Sequence, residues 1–144
     1  MLMNLEETLE QIEKEYWGEP TYDSYLVTTC HQLRKKQLKN FTTEDLRMLI
    51  GQNISLDLLI PLAYERLCQN IMAGGDLYPG DLLQNVLSAE KAYWEKNPSL
   101  HRKIGKLFKN NLPSIEKRVH KSISKSIFSE IQKSFEGFSK LNVS

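Results

Sequence analysis

Residues 41–67 read FTTEDLRMLIGQNISLDLLIPLAYERL and form the most apolar stretch of the chain. Thr42 stands before this apolar run, where its hydroxyl can cap the first turn of a helix, and Asp45 lies at the positive end of the helix dipole. Three apolar residues then share one helical face: Leu46, Leu49 and Ile50. Gly51 is predicted to end this helix in the left-handed conformation.

A second helix is predicted to begin after Ser55, and its residues are apolar over most of the helix circumference. Such a helix belongs in the core of the protein. Pro61 interrupts the pattern, because proline has no N–H to donate to the carbonyl of Asp57 and costs about 3 kcal/mol inside a helix. The sequence therefore predicts a kink or a break at Pro61.

The rest of the chain repeats the same combination of a capping residue and an apolar helical stripe, without the alternation that is typical of strands. Asn4 is predicted to cap the first helix, and Asp23 or Ser24 the second. From Ile115 to Phe135 apolar residues recur every four positions, which predicts a last helix with a winding apolar stripe. We expect an all-α fold, a single irregular bundle of about seven or eight helices without a sheet.

The 144 residues carry a formal net charge of +1, but the charge is unevenly distributed. Residues 1–29 contain seven acids and one base, whereas residues 101–144 contain ten bases and three acids. The first residues are acidic where a secretory peptide needs bases, and the run at residues 58–64 is too short to cross a membrane. We expect a soluble, cytoplasmic protein that does not associate with membranes.

No recognisable catalytic or metal-binding pattern is present. The two cysteines, Cys30 and Cys68, lack a Cys-x-x-Cys spacing, and the three histidines are far apart in the sequence. Cys30 is expected to be a small buried residue beside an exposed His31. Gly74 and Gly75 lack the lysine of a phosphate-binding loop. We therefore predict no catalytic residue, metal, cofactor or small-molecule substrate, and a protein that is not an enzyme.

Nucleic-acid binding is the alternative that the composition suggests, because basic residues cluster on the C-terminal helices. The clusters are formed by Arg102, Lys103, Lys106 and Lys109 and by Lys117, Arg118, Lys121 and Lys125. The acidic first hundred residues would repel phosphate, and no helix-turn-helix or stacking-aromatic pattern accompanies the bases. A solvated basic face is the favoured interpretation, with a nucleic-acid-binding helical module as the alternative.

The segment GDLYPGDLL at residues 75–83 resembles a segment of the bacterial contact-dependent growth inhibition (CDI) immunity proteins. Other similar motifs follow in the same order: Tyr16-Trp17 with Pro20, YDSYL at 22–26, His31 with Arg34-Lys35, Leu38, EDLR-x-LIGQ at 44–52 and Pro61-Leu62-Ala63. The resemblance covers about residues 5–98. Residues 1–144 are thus expected to form one all-α domain, in which residues 1–98 resemble the family and residues 99–144 add a basic helical extension.

The resemblance implies a cytoplasmic immunity protein that binds and neutralises the C-terminal toxin domain delivered by a neighbouring cell, often a nuclease. Such a protein acts as an inhibitor in a tight stoichiometric complex. Acidic helices can mimic phosphate in the basic cleft of a nuclease, as electrostatic complementarity requires. The partner implied is therefore the cognate toxin domain.

The toxin-binding residues that this interpretation favours are acids around one aromatic anchor. They are Asp23, Glu65, Asp76, Tyr78 and Asp81, with Tyr78 as the anchor. Asp76 and Asp81 can instead serve only as helix caps. Three other motif residues are expected to hold the fold: Trp17, Tyr25 and Arg47.

Overall fold

The computed structural model describes residues 3–21 and 23–143, and in these ranges it contains eight α-helices and no strand beyond two isolated bridges. The predicted all-α class is therefore confirmed. The helices are α1 (Leu9–Glu13), α2 (Tyr25–Leu33), α3 (Thr43–Gly51), α4 (Leu56–Gln69), α5 (Asp81–Leu87), α6 (Lys91–Lys96), α7 (Pro98–Lys117) and α8 (Lys125–Ser139).

The start of α3 is fixed by a reciprocal capping box. The hydroxyl of Thr42 accepts a hydrogen bond from the Asp45 amide at 3.1 Å, and the Asp45 carboxylate accepts one from the Thr42 amide at 3.0 Å. Two orphan amides of the first turn are satisfied in this way. The cap predicted at Thr42 is confirmed.

The end of α3 differs from the prediction, because Gly51 does not adopt the left-handed conformation. Asn53 and Ser55 adopt it instead, with φ of 55° and 53°. Gly51 allows α5 to approach, since a Cβ there would lie 2.6 Å from Nδ2 of Asn85. That amide donates to the carbonyl of Arg47 at 2.8 Å, so the missing side chain permits a contact between helices.

Helix α4 continues through Pro61, so of the two predicted alternatives the break is wrong, and the kink stays a prediction. The helix is anchored on both sides of the proline by fully buried residues: Leu59, Ile60, Ala63 and Leu67. Packing of this face offsets the lost hydrogen bond to the Asp57 carbonyl. Leu58 and Leu62 are only partly buried, so one apolar side of α4 is left outside the core.

Helices α2, α7 and α8 pack onto a centre formed by α3, α4 and α5. Helix α8 packs against α5 and α7, with Ile131 and Phe138 buried. The single last helix predicted from the four-residue repeat is wrong, because α7 ends at Lys117 and α8 begins at Lys125. No helix in the described part of the chain is long and apolar enough to cross a membrane.

The first helix begins later than predicted. Asn4 accepts a hydrogen bond from the Glu6 amide in a local turn, whereas Thr8 caps α1 through a reciprocal capping box with Gln11. The Glu7 carbonyl accepts a hydrogen bond from the amide of Leu38, so the preceding segment pairs with another part of the chain. The long-range pairing thus delays the helix by one turn.

Candidate functional site

The loop Gly74–Gly80, which connects α4 to α5, closes around one buried carboxylate. Asp81 is 1% exposed and accepts hydrogen bonds from the amides of Gly75 (2.7 Å), Leu77 (3.1 Å) and Tyr78 (3.4 Å). Its oxygens are therefore used inside the protein. Asp81 is buried in the free protein, and its assignment as a toxin-binding residue stays a prediction.

An ion pair on α3 holds the same loop from the other side. Arg47 donates to both carboxylate oxygens of Glu44 at 2.6 Å each, and its Nε lies 3.8 Å from Oδ2 of Asp81. Glu44 also accepts a hydrogen bond from the Asp76 amide at 2.9 Å. Two carboxylates and one guanidinium thus fix the backbone of the loop, and Arg47 holds the fold as predicted.

Two glycines of the loop are required by the closeness of this packing. A Cβ at Gly75 would lie 2.5 Å from Oε1 and 3.0 Å from Cα of Glu44. Gly80 has a φ of 94°, and a Cβ there would lie 2.7 Å from Cε of Met72. The glycines of the GDLYPGDLL motif therefore serve the backbone conformation and its packing.

The ion pair makes stability depend on pH. Hydrogen bonding to Arg47 lowers the pKa of Glu44 from its ordinary value of 4.5. The stabilisation of the folded state by the ionised Glu44 carboxylate is therefore present above pH 4.5. It is lost as the pH falls through the lower pKa of Glu44 in the folded state. We expect the parent to be more stable than Glu44→Gln at pH 7, with a difference that shrinks below pH 4.5. Urea unfolding at several pH values measures the free energy of unfolding of both proteins. A difference between them that does not change with pH would contradict the prediction.

The loop presents Leu77 to solvent. The Leu77 side chain is 64% exposed, and Asp76 beside it is also exposed. Tyr78, predicted to be the available anchor, is partly buried, and burial followed by the charge of Asp81 raises its pKa. Leu77 was not predicted as a contact residue from the sequence. The usable signal was a large apolar residue inside a turn, outside any helical stripe, which indicates an exposed apolar side chain.

A second arginine cluster ties α1 and α2 to the start of α4. Arg34, which is 1% exposed, donates to the Glu13 carboxylate (2.5 Å), the Ser55 hydroxyl (3.1 Å) and the Glu15 carbonyl (2.7 Å). Its guanidinium also lies 4.6 Å from the ring centre of Trp17. The His31 and Arg34 motif therefore contains a buried structural cation.

The aromatic residues of the family-like motifs divide between two roles. Trp17 packs edge to face against His31, whose Nδ1 lies 3.1 Å from the Gly18 carbonyl oxygen. Trp17 thus holds the fold as expected. Tyr25 is 75% exposed, so its expected structural role is not supported by the packing.

The five predicted toxin-binding residues do not form one cluster. Asp76, Tyr78 and Asp81 belong to the loop at the start of α5, whereas Glu65 lies exposed on α4. Asp23 is exposed immediately before the capping residue of α2, and it makes no side-chain hydrogen bond or ion pair within the described residues. The loop thus contains three of the five residues, and the other two acids belong to other elements.

The side chains that could take part in catalysis or bind a metal are also dispersed. Burial raises the pKa of the Cys30 thiol, which keeps it protonated at neutral pH. Within residues 3–21 and 23–143, no group of three or more His, Cys, Asp or Glu side chains has the arrangement of a metal site.

Comparison with known proteins identifies the family. The model of the CDI immunity proteins matches residues 11–104, which is more than half of the 144 residues. This match includes both arginine clusters and the loop Gly74–Gly80. Searches of curated proteins and of solved structures gave no match. The chain belongs to the family of CDI immunity proteins.

Proposed function

We propose that this protein neutralises the C-terminal toxin domain of its cognate CDI system by direct one-to-one binding in the cytoplasm. The family match over residues 11–104 is the observation that carries the proposal. The protein acts as an inhibitor: it covers the toxin surface and catalyses no reaction.

The loop Gly74–Gly80 is the contact that we propose first. Its backbone is already held by the Asp81 carboxylate and by the Glu44 and Arg47 ion pair, so little conformational freedom is lost when a partner binds. The exposed Leu77 supplies an apolar contact, and Asp76 beside it supplies a charge.

The acidic charge of the same part of the chain favours a basic partner. Residues 41–100 contain eight acids and four bases. Positive clefts are typical of enzymes that bind phosphate, and complementary charges raise the association rate. We therefore propose a nuclease as the toxin.

Co-expression tests the proposed function directly. The toxin domain encoded immediately upstream should stop bacterial growth, and growth should recover when this protein is co-expressed. Titration calorimetry with a catalytically inactive toxin domain should give a stoichiometry of one. Absence of both protection and binding would overturn the proposal.

Leu77→Ala is expected to weaken toxin binding about tenfold, because it removes the exposed apolar contact of the loop. The free energy of unfolding should be unchanged, since the side chain packs little in the free protein. Calorimetry measures the affinity, with Lys121→Ala on the basic extension as the control. Parent affinity for Leu77→Ala together with lost binding for Tyr25→Ala would place the interface at the start of α2.

A nucleic-acid-binding role of α7 and α8 is the second candidate function. A cavity of about 290 Å³ between these helices is lined by three bases and two phenylalanines, without a carboxylate: Arg102, Lys106, Lys109, Phe135 and Phe138. Bases with an aromatic surface are typical of single-strand binding. Oligonucleotide retention with a steep salt dependence would support this role, and its absence at low salt would reject it.

A further inference from the structure

An open groove of about 750 Å³ runs between α4 and the segment that contains α1. Leu58, Pro61 and Leu62 of α4 form one wall, while Leu5 and Ile12 contribute apolar surface from the other side. Leu5 is 41% exposed, although it is a large aliphatic residue. Apolar surface of this kind, rimmed by polar residues, marks an interaction site.

The rim of the groove is mainly acidic. Its charged lining residues are the acids Glu7, Asp57 and Glu65 and the base Lys14. A polar cavity of about 260 Å³ adjoins the groove through Asp57, and its other charged lining residues are Glu13, Glu90 and Lys96. Five acids and two bases therefore border this surface. Glu13 is already paired with Arg34, and the other four acids still outnumber the two bases, which favours a positively charged occupant.

Pro61 removes one helical hydrogen bond beside the groove. Because proline has no N–H, the carbonyl of Asp57 lacks the donor that a residue four positions later normally supplies. Both residues line the groove.

We propose that this groove receives a basic amphipathic segment of the toxin domain, with its apolar side on Leu58 and Leu62 and its cations facing Glu7 and Glu65. This inference rests on the proposed function and adds the chemistry of the partner segment. Helix-in-groove recognition uses the same combination of an apolar floor and complementary charges.

The groove also borders the loop that was proposed as the first contact. Glu65 lines the groove, and the next residue of α4, Arg66, lines a shallow cavity together with Gly75 and Asp76. Helix α4 therefore contributes residues to both surfaces.

The double variant Glu7→Lys/Glu65→Lys tests the charge of the groove. Both residues lie on its rim, and neither side chain makes a hydrogen bond or ion pair within the described residues. We expect about 100-fold weaker binding of the upstream-encoded toxin domain in titration calorimetry, because like charges would then face each other. The matched control, Glu116→Lys/Glu136→Lys, changes the net charge equally at two exposed positions of α7 and α8.

Leu62→Ala tests the apolar floor without any change of charge. We expect about tenfold weaker binding and a thermal midpoint close to that of the parent, because Leu62 is only partly buried. Parent affinity in both groove variants would overturn the groove proposal while leaving the proposed function intact. Equal weakening by the control pair would also overturn it, since the effect would then follow net charge. A parent protein that neither binds nor protects would overturn the proposed function itself.

Discussion

Asp81→Ala is expected to lower the free energy of unfolding by about 3 kcal/mol and to release the loop Gly74–Gly80. The substitution removes the acceptor of three loop amides and leaves the guanidinium of Arg47 without its second carboxylate. Each polar group left buried without a partner costs about 1–3 kcal/mol, although a loop that opens can recover part of this from water. Urea unfolding measures the loss.

Two further substitutions separate the buried carboxylate from its surface neighbour. Asp81→Asn keeps one acceptor oxygen but loses the charge opposite Arg47, so it should have an intermediate effect. Asp76→Ala keeps the backbone N–H that Glu44 accepts and should change stability by no more than about 0.5 kcal/mol. Equal stability of Asp81→Ala and Asp76→Ala would show that the loop does not depend on the buried carboxylate.

The variant Asp81→Ala also connects stability to toxin binding. A loop released from Asp81 must be ordered again when the toxin binds, and this ordering has an entropic cost. We therefore expect Asp81→Ala to bind the toxin more weakly than the parent even at temperatures where it remains folded. The contribution of Asp81 to binding is thus indirect, through the position of Leu77.

The helix pattern could be predicted from the sequence where the determining contacts are local. The capping box of α3 joins Thr42 and Asp45, three residues apart, and Ser24 caps α2 through a bond to the amide of Val27. Such signals do not depend on the rest of the fold. The all-α class follows from a series of these local signals.

Helix α3 ends at Gly51 as predicted, but the start of α1 and the conformation of Gly51 were mispredicted because distant residues determine them. Asn4 has the sequence of a cap, but the following backbone pairs with Leu38 across the chain. Gly51 has the sequence of a helix terminator, yet its role is to admit the side chain of Asn85. A single sequence does not reveal which helix will approach a glycine.

The candidate site could be predicted only as a segment. The sequence drew attention to residues 75–83 but did not distinguish the buried Asp81 from the exposed Asp76, since both flank the same turn. The sequence does not reveal the groove, because it predicts a core helix that is apolar over most of its circumference, whereas Leu58 and Leu62 of α4 are only partly buried. Their exposure depends on how closely α1 packs, which no local pattern specifies.

Arg34→Ala is expected to destabilise the protein at least as much as Asp81→Ala does. It should lower the free energy of unfolding by about 3 kcal/mol or more. Arg34 is buried and bridges three parts of the chain through Glu13, Glu15 and Ser55. Without it, the carbonyl of Glu15 loses its donor, and the Glu13 carboxylate loses its counter-ion. The Glu13 side chain keeps some contact with water, which limits the loss of stability in Arg34→Ala. Urea unfolding at neutral pH measures the change.

Arg34→Lys separates the geometry of the side chain from its charge. A single ammonium group cannot reproduce the planar fork with which Arg34 reaches Glu13, Ser55 and the Glu15 carbonyl at once, so lysine should recover only a small part of the lost stability. Lys35→Ala, at the exposed neighbouring position, is the control and should be nearly neutral. Full recovery by lysine would mean that the positive charge alone matters. Because Arg34 ties α1 to the start of α4, and these two segments form the groove, folded Arg34→Ala protein is expected to bind the toxin more weakly than the parent.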